Sequence, residues 1–552
     1  MAVVYMRKLE QEPESYDSKF TALTKGVNKK IEDWIIEKID SENSILEIGC
    51  GTGSLAIKLA DKGNNVKAID INFKMIDYAM KNYPPNLKDG SLTYQIGSFT
   101  DLPVEKQSQD IILSKFMLSE LRPFEQQIFL RNCWKTLKQN GILILAAEFV
   151  PSGFWKLPFQ IKRWWYRRKL RRLKLKSTFL LKWFFNYIKP IGFEIIEQKE
   201  WKHGTIKALI LKKSIKAEND EPGYYFPEKK KFKGISSQFR IYRCLFTGQI
   251  DRVPIEPGVY KSGNPDKDSP IIVTANYDYT YIKVMRNIKK VNAWVLCVDS
   301  NGINVWCAAR GNDFGNDQLI EAIKATGIQN ITESRSLILP QLSAGGVAIP
   351  QLRMNSKKFP YKIKYGPVWS KDLPSYLKEK PIKKPEKMKL AKFTLSHRNR
   401  AFITHTTFLF RKIFLYPLFG LLIILIALTW INKLWWVLEL AIWVVITNAI
   451  TAYLFPLSKF TRKFIYKGIF FGILNVIVLS LINFSIQKSI FKIIWSIGFY
   501  FWISFFSTMS FSGYTMATSP REIQIEYPVF RKINLALLII SIICLVIAII
   551  YF

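Results

Sequence analysis

Several runs of about 20 apolar residues with few charges fill the last quarter of the chain, each long enough to cross the roughly 30 Å hydrocarbon core of a bilayer. Backbone buried in lipid must satisfy its own N–H and C=O groups, which confines this end of the chain to helices. Five spans are expected, roughly Ile413–Ile431, Leu434–Phe455, Phe464–Phe484, Ile490–Phe511 and Ile533–Phe552. Lys459, Arg462, Lys463 and Lys467 follow the second, and Arg521, Arg531 and Lys532 follow the fourth; the opposite loops carry only Lys433 and then Lys488 with Lys492. By the positive-inside rule this is a multi-pass protein of the inner (cytoplasmic) membrane, with everything before the spans in the cytoplasm and the C-terminus outside. Met1 to Phe20 lack the apolar core of a signal peptide.

At 552 residues the chain is too long for one core. Residues 1–213 alternate strand-like and helix-like patterns, the signature of an α/β domain with a mostly parallel sheet. Residues 214–247, rich in charge with Pro222, Gly223 and Pro227, are expected to be a linker. A second α/β pattern follows over 248–380, with strands at Ile271–Ala275 and Ala293–Val298 and a helix near Asp317–Ala325; a basic juxtamembrane linker, 381–412, leads to the five-helix domain, 413–552. The net charge of +37 is explained by an anionic bilayer surface rather than nucleic acid, because much of it lies beside apolar and aromatic segments. Cys50, Cys133, Cys244, Cys297, Cys307 and Cys544 lack paired spacing, which argues against a disulfide framework, a zinc site or a cluster held by this chain alone.

Ile45 to Gly53 is an apolar strand running into the turn Gly49-Cys50-Gly51-Thr52-Gly53, followed by a helix Leu55–Asp61, and Asp70 ends the next strand. Glycines let backbone approach a ligand closely, and a carboxylate at that strand end can accept both hydroxyls of a ribose. With Gly97-Ser98-Phe99-Thr100-Asp101, a fourth strand at Asp110–Ser114 and a fifth at Gly141–Glu148, the pattern resembles class I S-adenosylmethionine-dependent methyltransferases, which have a Rossmann-like fold. The resemblance implies that Glu47, Gly49, Gly51 and Gly53 hold the methionine part, Asp70 the ribose, and Ser98 and Phe99 the adenine side, with Ser98 where an acidic residue is common. Trp155 to Lys176 mixes cations with tryptophans, as in a helix lying on anionic lipid.

Cys307 stands where the second domain passes from a strand to a helix, a position for a soft metal ligand. Around it run Glu256-Pro257-Gly258-Val259-Tyr260, Ile271-Ile272-Val273-Thr274-Ala275-Asn276, Asn304-Val305-Trp306-Cys307-Ala308-Ala309 and Gln341-Leu342-Ser343-Ala344-Gly345-Gly346. This order resembles the mercury-methylating corrinoid proteins (HgcA) and their relative, the large subunit of the corrinoid iron-sulfur protein of acetyl-CoA synthesis; the apolar spans favour the former. The resemblance implies a corrinoid (cobalamin) cofactor, Cys307 as catalytic residue and lower axial ligand to its cobalt, and contacts from Thr274, Asn276, Asn304, Val305, Trp306, Ala308, Gln341 and Gly346. Where the family has Gly-Lys-Gly-Thr, this chain has Arg310-Gly311-Asn312-Asp313.

The reading is a fusion that methylates Hg(II) through methyl-cobalt, with the first domain reloading cobalt from S-adenosylmethionine. No Cys-x-x-Cys-x-x-Cys run is present in the sequence, so a separate ferredoxin-like iron-sulfur reductant (HgcB-like) is the expected partner. Alternatives are another thiophilic acceptor, arsenic or selenium, or methylation of a lipid or quinone beside a corrinoid-binding membrane module.

Overall fold

A computed structural model describes residues 9–84, 90–98, 105–172, 178–214, 221–246, 253–355, 359–379, 384–390, 394–413, 434–487, 490–514 and 520–551. The first domain is built on a sheet of order β3-β2-β1-β4-β5-β7-β6, comprising β1 (Ser44–Ile48), β2 (Asn65–Asp70), β3 (Ser91–Ile96), β4 (Gln109–Lys115), β5 (Leu137–Glu148), β6 (Phe193–Trp201) and β7 (Ile206–Lys213). The first five strands are parallel, and β7 enters antiparallel between β5 and β6. Strands covered on both faces are apolar almost throughout, and one core cluster takes Ile45, Ile111 and Ile144 while the other takes Leu46, Ile112 and Leu145. All five parallel strands end on the edge that carries the glycine turn.

The second domain has a five-stranded sheet of order β12-β11-β9-β10-β8, with β8 (Gly258–Ser262), β9 (Ile271–Ala275), β10 (Ala293–Val298), β11 (Ser336–Leu339) and β12 (Lys362–Tyr365). Only β8 is antiparallel. The chain leaves β9 toward β10 and then crosses back to β11 on the other side of β9, so the winding direction reverses between β9 and β11. A crevice opens outside the carboxyl ends of strands at such a reversal.

Part of the expected linker is a helix, Gly234–Phe246, whose Ile241 and Cys244 are buried in the second domain's cores. Its neighbouring lysines hide an apolar spacing that only this packing reveals. The preceding segment is also fixed: the Arg131 guanidinium lies 3.3 Å from the centre of the Tyr224 ring, and that ring closes on Gly327. The two α/β domains touch directly, with helix Pro123–Thr136 packing on helix Asn316–Thr326 and Phe124 buried in the second domain's core.

Helices Leu434–Leu454, Phe464–Gln487, Ile490–Tyr514 and Pro520–Tyr551 follow. Among the described residues three helices are long and apolar enough to cross a membrane, over Ala441–Phe460, Phe464–Ser485 and Ile525–Cys544. Of the five expected spans, three correspond to these candidates; all but the first residue of the expected first span lies outside the described residues, and the fourth is present as helix Ile490–Tyr514 without being among the candidates. The juxtamembrane stretch is not a plain linker either. Helix Leu395–Ile413 inserts Phe408 and Leu409 among the apolar helices, and His405 Nδ1 meets Asn448 Oδ1 at 2.5 Å.

Candidate functional site

In the first domain the turn after β1 places Gly49, Gly51 and Gly53 at φ of 76°, 58° and 78°, the left-handed region that glycine enters without steric cost. A Cβ on Gly49 would lie 2.8 Å from Met117 Cβ, and one on Gly53 would lie 2.8 Å from the Tyr94 hydroxyl, so the turn also needs close approach. Asp70, at the end of β2, accepts from Gly51 N–H at 2.9 Å and from Asn72 N–H at 2.8 Å. Burial pushes its carboxyl up, against those backbone bonds.

Glu47 is buried beneath the turn, and its Oε2 has no hydrogen-bond partner among the described residues. Burial pushes its carboxyl up to about 8; Lys115 opposes the shift, while Glu32 and Asp70 add to it. Lys115 is already committed to Glu32, as is Lys58 at 3.3 Å. Burial disfavours the Glu32 carboxylate, but these two ammonium groups prevail and hold it below its ordinary range. An orphaned acid under a glycine cradle, beside a carboxylate held by backbone amides, suits a ligand with a cationic end and a diol. Ser98 is half-buried just after β3; Phe99 lies outside the described residues.

Two residues of this domain escaped the sequence reading. Glu148 is fully buried at the carboxyl end of β5, and Arg163 reaches it at 2.7 Å while also donating to Thr178 O at 2.6 Å. Arg163 belongs to the basic aromatic stretch expected to lie on lipid, which forms helix Lys156–Arg172. Its neighbours Phe154, Trp155, Leu157, Ile161 and Trp165 are exposed, but Arg163 itself turns inward. Sequence offered no signal for that split, because every cation of the run looks alike.

In the second domain Cys307 sits on the short helix Val305–Arg310 that caps the carboxyl end of the sheet. Asn304 caps this helix, its Oδ1 accepting from Cys307 N–H at 2.9 Å and its Nδ2 donating to Cys307 Sγ at 3.4 Å. Cys307 is partly exposed, whereas Cys50, Cys133, Cys244 and Cys297 are buried. Burial raises the Cys307 thiol, with Asn304 and Arg310 pulling the other way. The site thus offers one accessible sulfur with a donor and a cation beside it, which fits a single soft metal bond.

The other expected contacts divide. Thr274, next to last in β9, has a buried hydroxyl with no hydrogen-bond partner among the described residues. Trp306 is half-buried under the Arg310 guanidinium, 4.3 Å from the ring centre. Val305 and Ala308 are buried toward the sheet. Asn276 is fully consumed: Nδ2 donates to Ile255 O and Asp299 Oδ1, and Oδ1 accepts from Ser300 N–H, Ser300 Oγ and Gly302 N–H. Its place is therefore beneath the loop that carries Asn304 and Cys307, holding it. Gln341 Oε1 accepts from Lys384, which also donates to Tyr365 O and Gly366 O. Gly346 packs so tightly that a Cβ would lie 2.2 Å from Phe314 O and 2.6 Å from Ala309 O, a backbone contact that seats the turn Gln341–Gly345 against the capping helix.

The segment that departs from the family pattern faces the first domain. Asp313 N–H donates back to Ala308 O at 2.9 Å, closing the cap. Its carboxylate pairs with Arg122 of the first domain at 3.2 Å. Arg122 follows Met117, which touches Gly49, so a short run of residues connects the glycine turn to the cap that bears Cys307.

A family model described as a methyltransferase domain matches residues 46–145. One described as the CO dehydrogenase/acetyl-CoA synthase delta subunit matches residues 234–349, beginning at the helix hidden in the expected linker. Over 104 residues the chain is 34% identical to the acetyl-CoA decarbonylase/synthase complex subunit gamma of Methanocaldococcus jannaschii, covering 18% of this chain and 21% of that protein. Over 104 residues it is 32% identical to the subunit gamma of Methanopyrus kandleri, covering 18% and 22%. The chain therefore spans only about a fifth of the length of these relatives. Among solved structures, a SAM-dependent methyltransferase from Methanosarcina mazei is 23% identical, with 33% of this chain and 97% of that one covered at a TM-score of 0.28. At that score the overlay decides nothing. The chain carries a methyltransferase domain, identified by its family match, joined to a second α/β domain related to subunits of acetyl-CoA synthesis.

Proposed function

We propose that this chain is a membrane-bound, corrinoid-dependent methyltransferase that transfers a methyl group to Hg(II), giving methylmercury, and that its first domain draws methyl groups from S-adenosylmethionine. The observation that supports it best is the position of Cys307: one partly exposed thiol, braced by Asn304, on a short helix at the carboxyl end of the sheet whose winding reverses between β9 and β11. A corrinoid bound there supplies a cobalt centre that takes up and gives away a methyl group. Cys307 would hold that metal as thiolate, and Asn304 and Arg310 favour the ionised sulfur. Asn276 holds the loop, and Gly346 lets the turn Gln341–Gly345 close on the cap. A soft acceptor such as thiol-bound Hg(II) matches this soft donor chemistry.

In the first domain Glu47 would take the cationic end of S-adenosylmethionine and Asp70 its ribose, while Glu148 and Arg163 would close the acceptor side. The Arg122–Asp313 pair would then keep the two sites in one orientation, raising their mutual concentration beyond what a free tether gives. The candidate spans would hold both domains on the cytoplasmic side, and a separate iron-sulfur protein would supply reducing electrons.

The decisive experiment is the absorption spectrum of the purified chain with cobalamin, before and after Cys307→Ala. The reading expects a bound-corrinoid spectrum whose axial-ligand bands change in the variant; no bound corrinoid in either form would sink it. Product analysis after feeding Hg(II), arsenite or selenite identifies the acceptor. A second reading, methylation of a membrane lipid or quinone, is favoured by the exposed Phe154, Trp155 and Leu157 beside the acceptor side of the first domain. In that case Cys307→Ala leaves methyl transfer unchanged.

A further inference from the structure

The helix Gly234–Phe246 carries two apolar faces. Ile241 and Cys244 are buried in the second domain. Ile235, Phe239, Tyr242 and Phe246 are 76%, 70%, 54% and 53% exposed. At 100° per residue these four fall within about 60° of one another, on the side away from the core. An exposed stripe of this kind marks an interaction surface rather than an accident of composition.

The surroundings identify what meets it. The helix packs against Leu395–Ile413, the helix that enters the apolar bundle, so the stripe lies where the soluble domains meet the membrane helices. A cavity of about 440 Å³ opens beside it, lined by Lys233, Gly234, Ile235, Gln238, Arg286 and Lys289. Arg286 is braced there by Phe232 O at 2.6 Å and Ser237 Oγ at 2.7 Å. Cations also extend into the first domain: burial, then Lys230 and Arg243, and last Lys156 hold the Lys182 ammonium below its ordinary range against the opposing carboxylate of Glu256. Lys156 begins the helix that also exposes Leu157, Ile161 and Trp165. Aromatic and aliphatic side chains bordered by lysine and arginine are the composition of a helix lying in the headgroup layer.

We infer that Gly234–Phe246 is an in-plane membrane anchor: Ile235, Phe239, Tyr242 and Phe246 enter the acyl boundary, and the Lys233–Arg286–Lys289 cavity takes the phosphate of an anionic lipid. The occupant is lipid rather than protein because one stripe combines continuity with the bundle and a cationic rim. The inference rests on the reading that the C-terminal helices cross a bilayer, and it fixes the second domain against the membrane surface rather than on a loose tether.

The test uses the full chain with p-benzoylphenylalanine at Phe239, reconstituted in vesicles of phosphatidylcholine alone or of an equimolar phosphatidylcholine–phosphatidylglycerol mixture, then irradiated and analysed by mass spectrometry. The same probe at Ile477, exposed on a candidate span, reports whether the bundle is in lipid. Lipid adducts at both positions, with phosphatidylglycerol enriched at 239, support the anchor. Lys289→Gln should cut that enrichment roughly fivefold, as expected for one cation at an anionic surface. Lipid adducts at 477 with none at 239, adducts at 239 to polypeptide only, or no preference for phosphatidylglycerol would each overturn it. Absence of lipid adducts at 477 would instead overturn the spanning reading on which it rests.

Discussion

If Glu47 meets the cationic end of a ligand, binding in the first domain becomes a proton-coupled event. Buried, with no partner for Oε2 among the described residues and its carboxyl pushed up to about 8, Glu47 is expected to keep its proton in the ligand-free chain at neutral pH. If the cationic end of S-adenosylmethionine meets it, ionisation becomes favourable and the proton must leave. With a free value near 8 and a bound value well below 6, roughly 0.9 proton is released at pH 7, and affinity rises about tenfold from pH 6 to pH 7. Isothermal titration of the ligand into the purified chain, in phosphate and in Tris, reads that proton as a difference in apparent enthalpy. Glu47→Gln should abolish both the release and the pH slope. Identical enthalpies in the two buffers for the unaltered chain would refute the reasoning. The ligand-free chain provides the sign check on stability. A carboxyl raised in the folded state keeps a proton that the unfolded chain has lost, so stability falls as pH climbs from about 4.5 toward 8, by at most about 5 kcal/mol.

Asn304→Ala removes the hydrogen bond to Cys307 Sγ along with the helix cap. It should move the pH midpoint of Cys307 alkylation, followed by peptide mass spectrometry, further above the ordinary thiol range and cost about 1 kcal/mol of stability; an unchanged midpoint would mean that the thiol ignores Asn304. Gly346→Ala drives a methyl into Phe314 O and Ala309 O, so unfolding should be easier by about 1 to 3 kcal/mol, and a variant as stable as the parent would contradict the close approach. Arg122 and Asp313 should show a coupling of about 1 kcal/mol in a double-mutant cycle of Arg122→Ala and Asp313→Ala, read by urea unfolding of the solubilised chain. Strict additivity there would show that the domains are not joined through this pair.

Much of both α/β domains was legible because their strands are short apolar runs between turn residues: β9 and β10 occupy Ile271–Ala275 and Ala293–Val298, as expected. The glycine turn and Asp70 were legible because backbone geometry there tolerates few residue types. Asn276 was not, since an amide that binds a cofactor and one that braces a loop look identical until five partners are counted around it. Likewise the lysines around Gly234–Phe246 suggested a linker, because two apolar faces on one helix dilute the contrast that periodicity detects.

The sequence by itself determined where strands end in glycine turns, that one thiol stands at a strand-to-helix junction, and that the last quarter is apolar enough to be helical in lipid, since these depend on residues adjacent along the chain. Only the tertiary structure decided that Arg163 turns inward to Glu148, that Asp313 reaches Arg122 in another domain, and that the supposed linker folds onto helix Leu395–Ile413. Those outcomes depend on burial and on charges far apart in sequence, which no local pattern encodes.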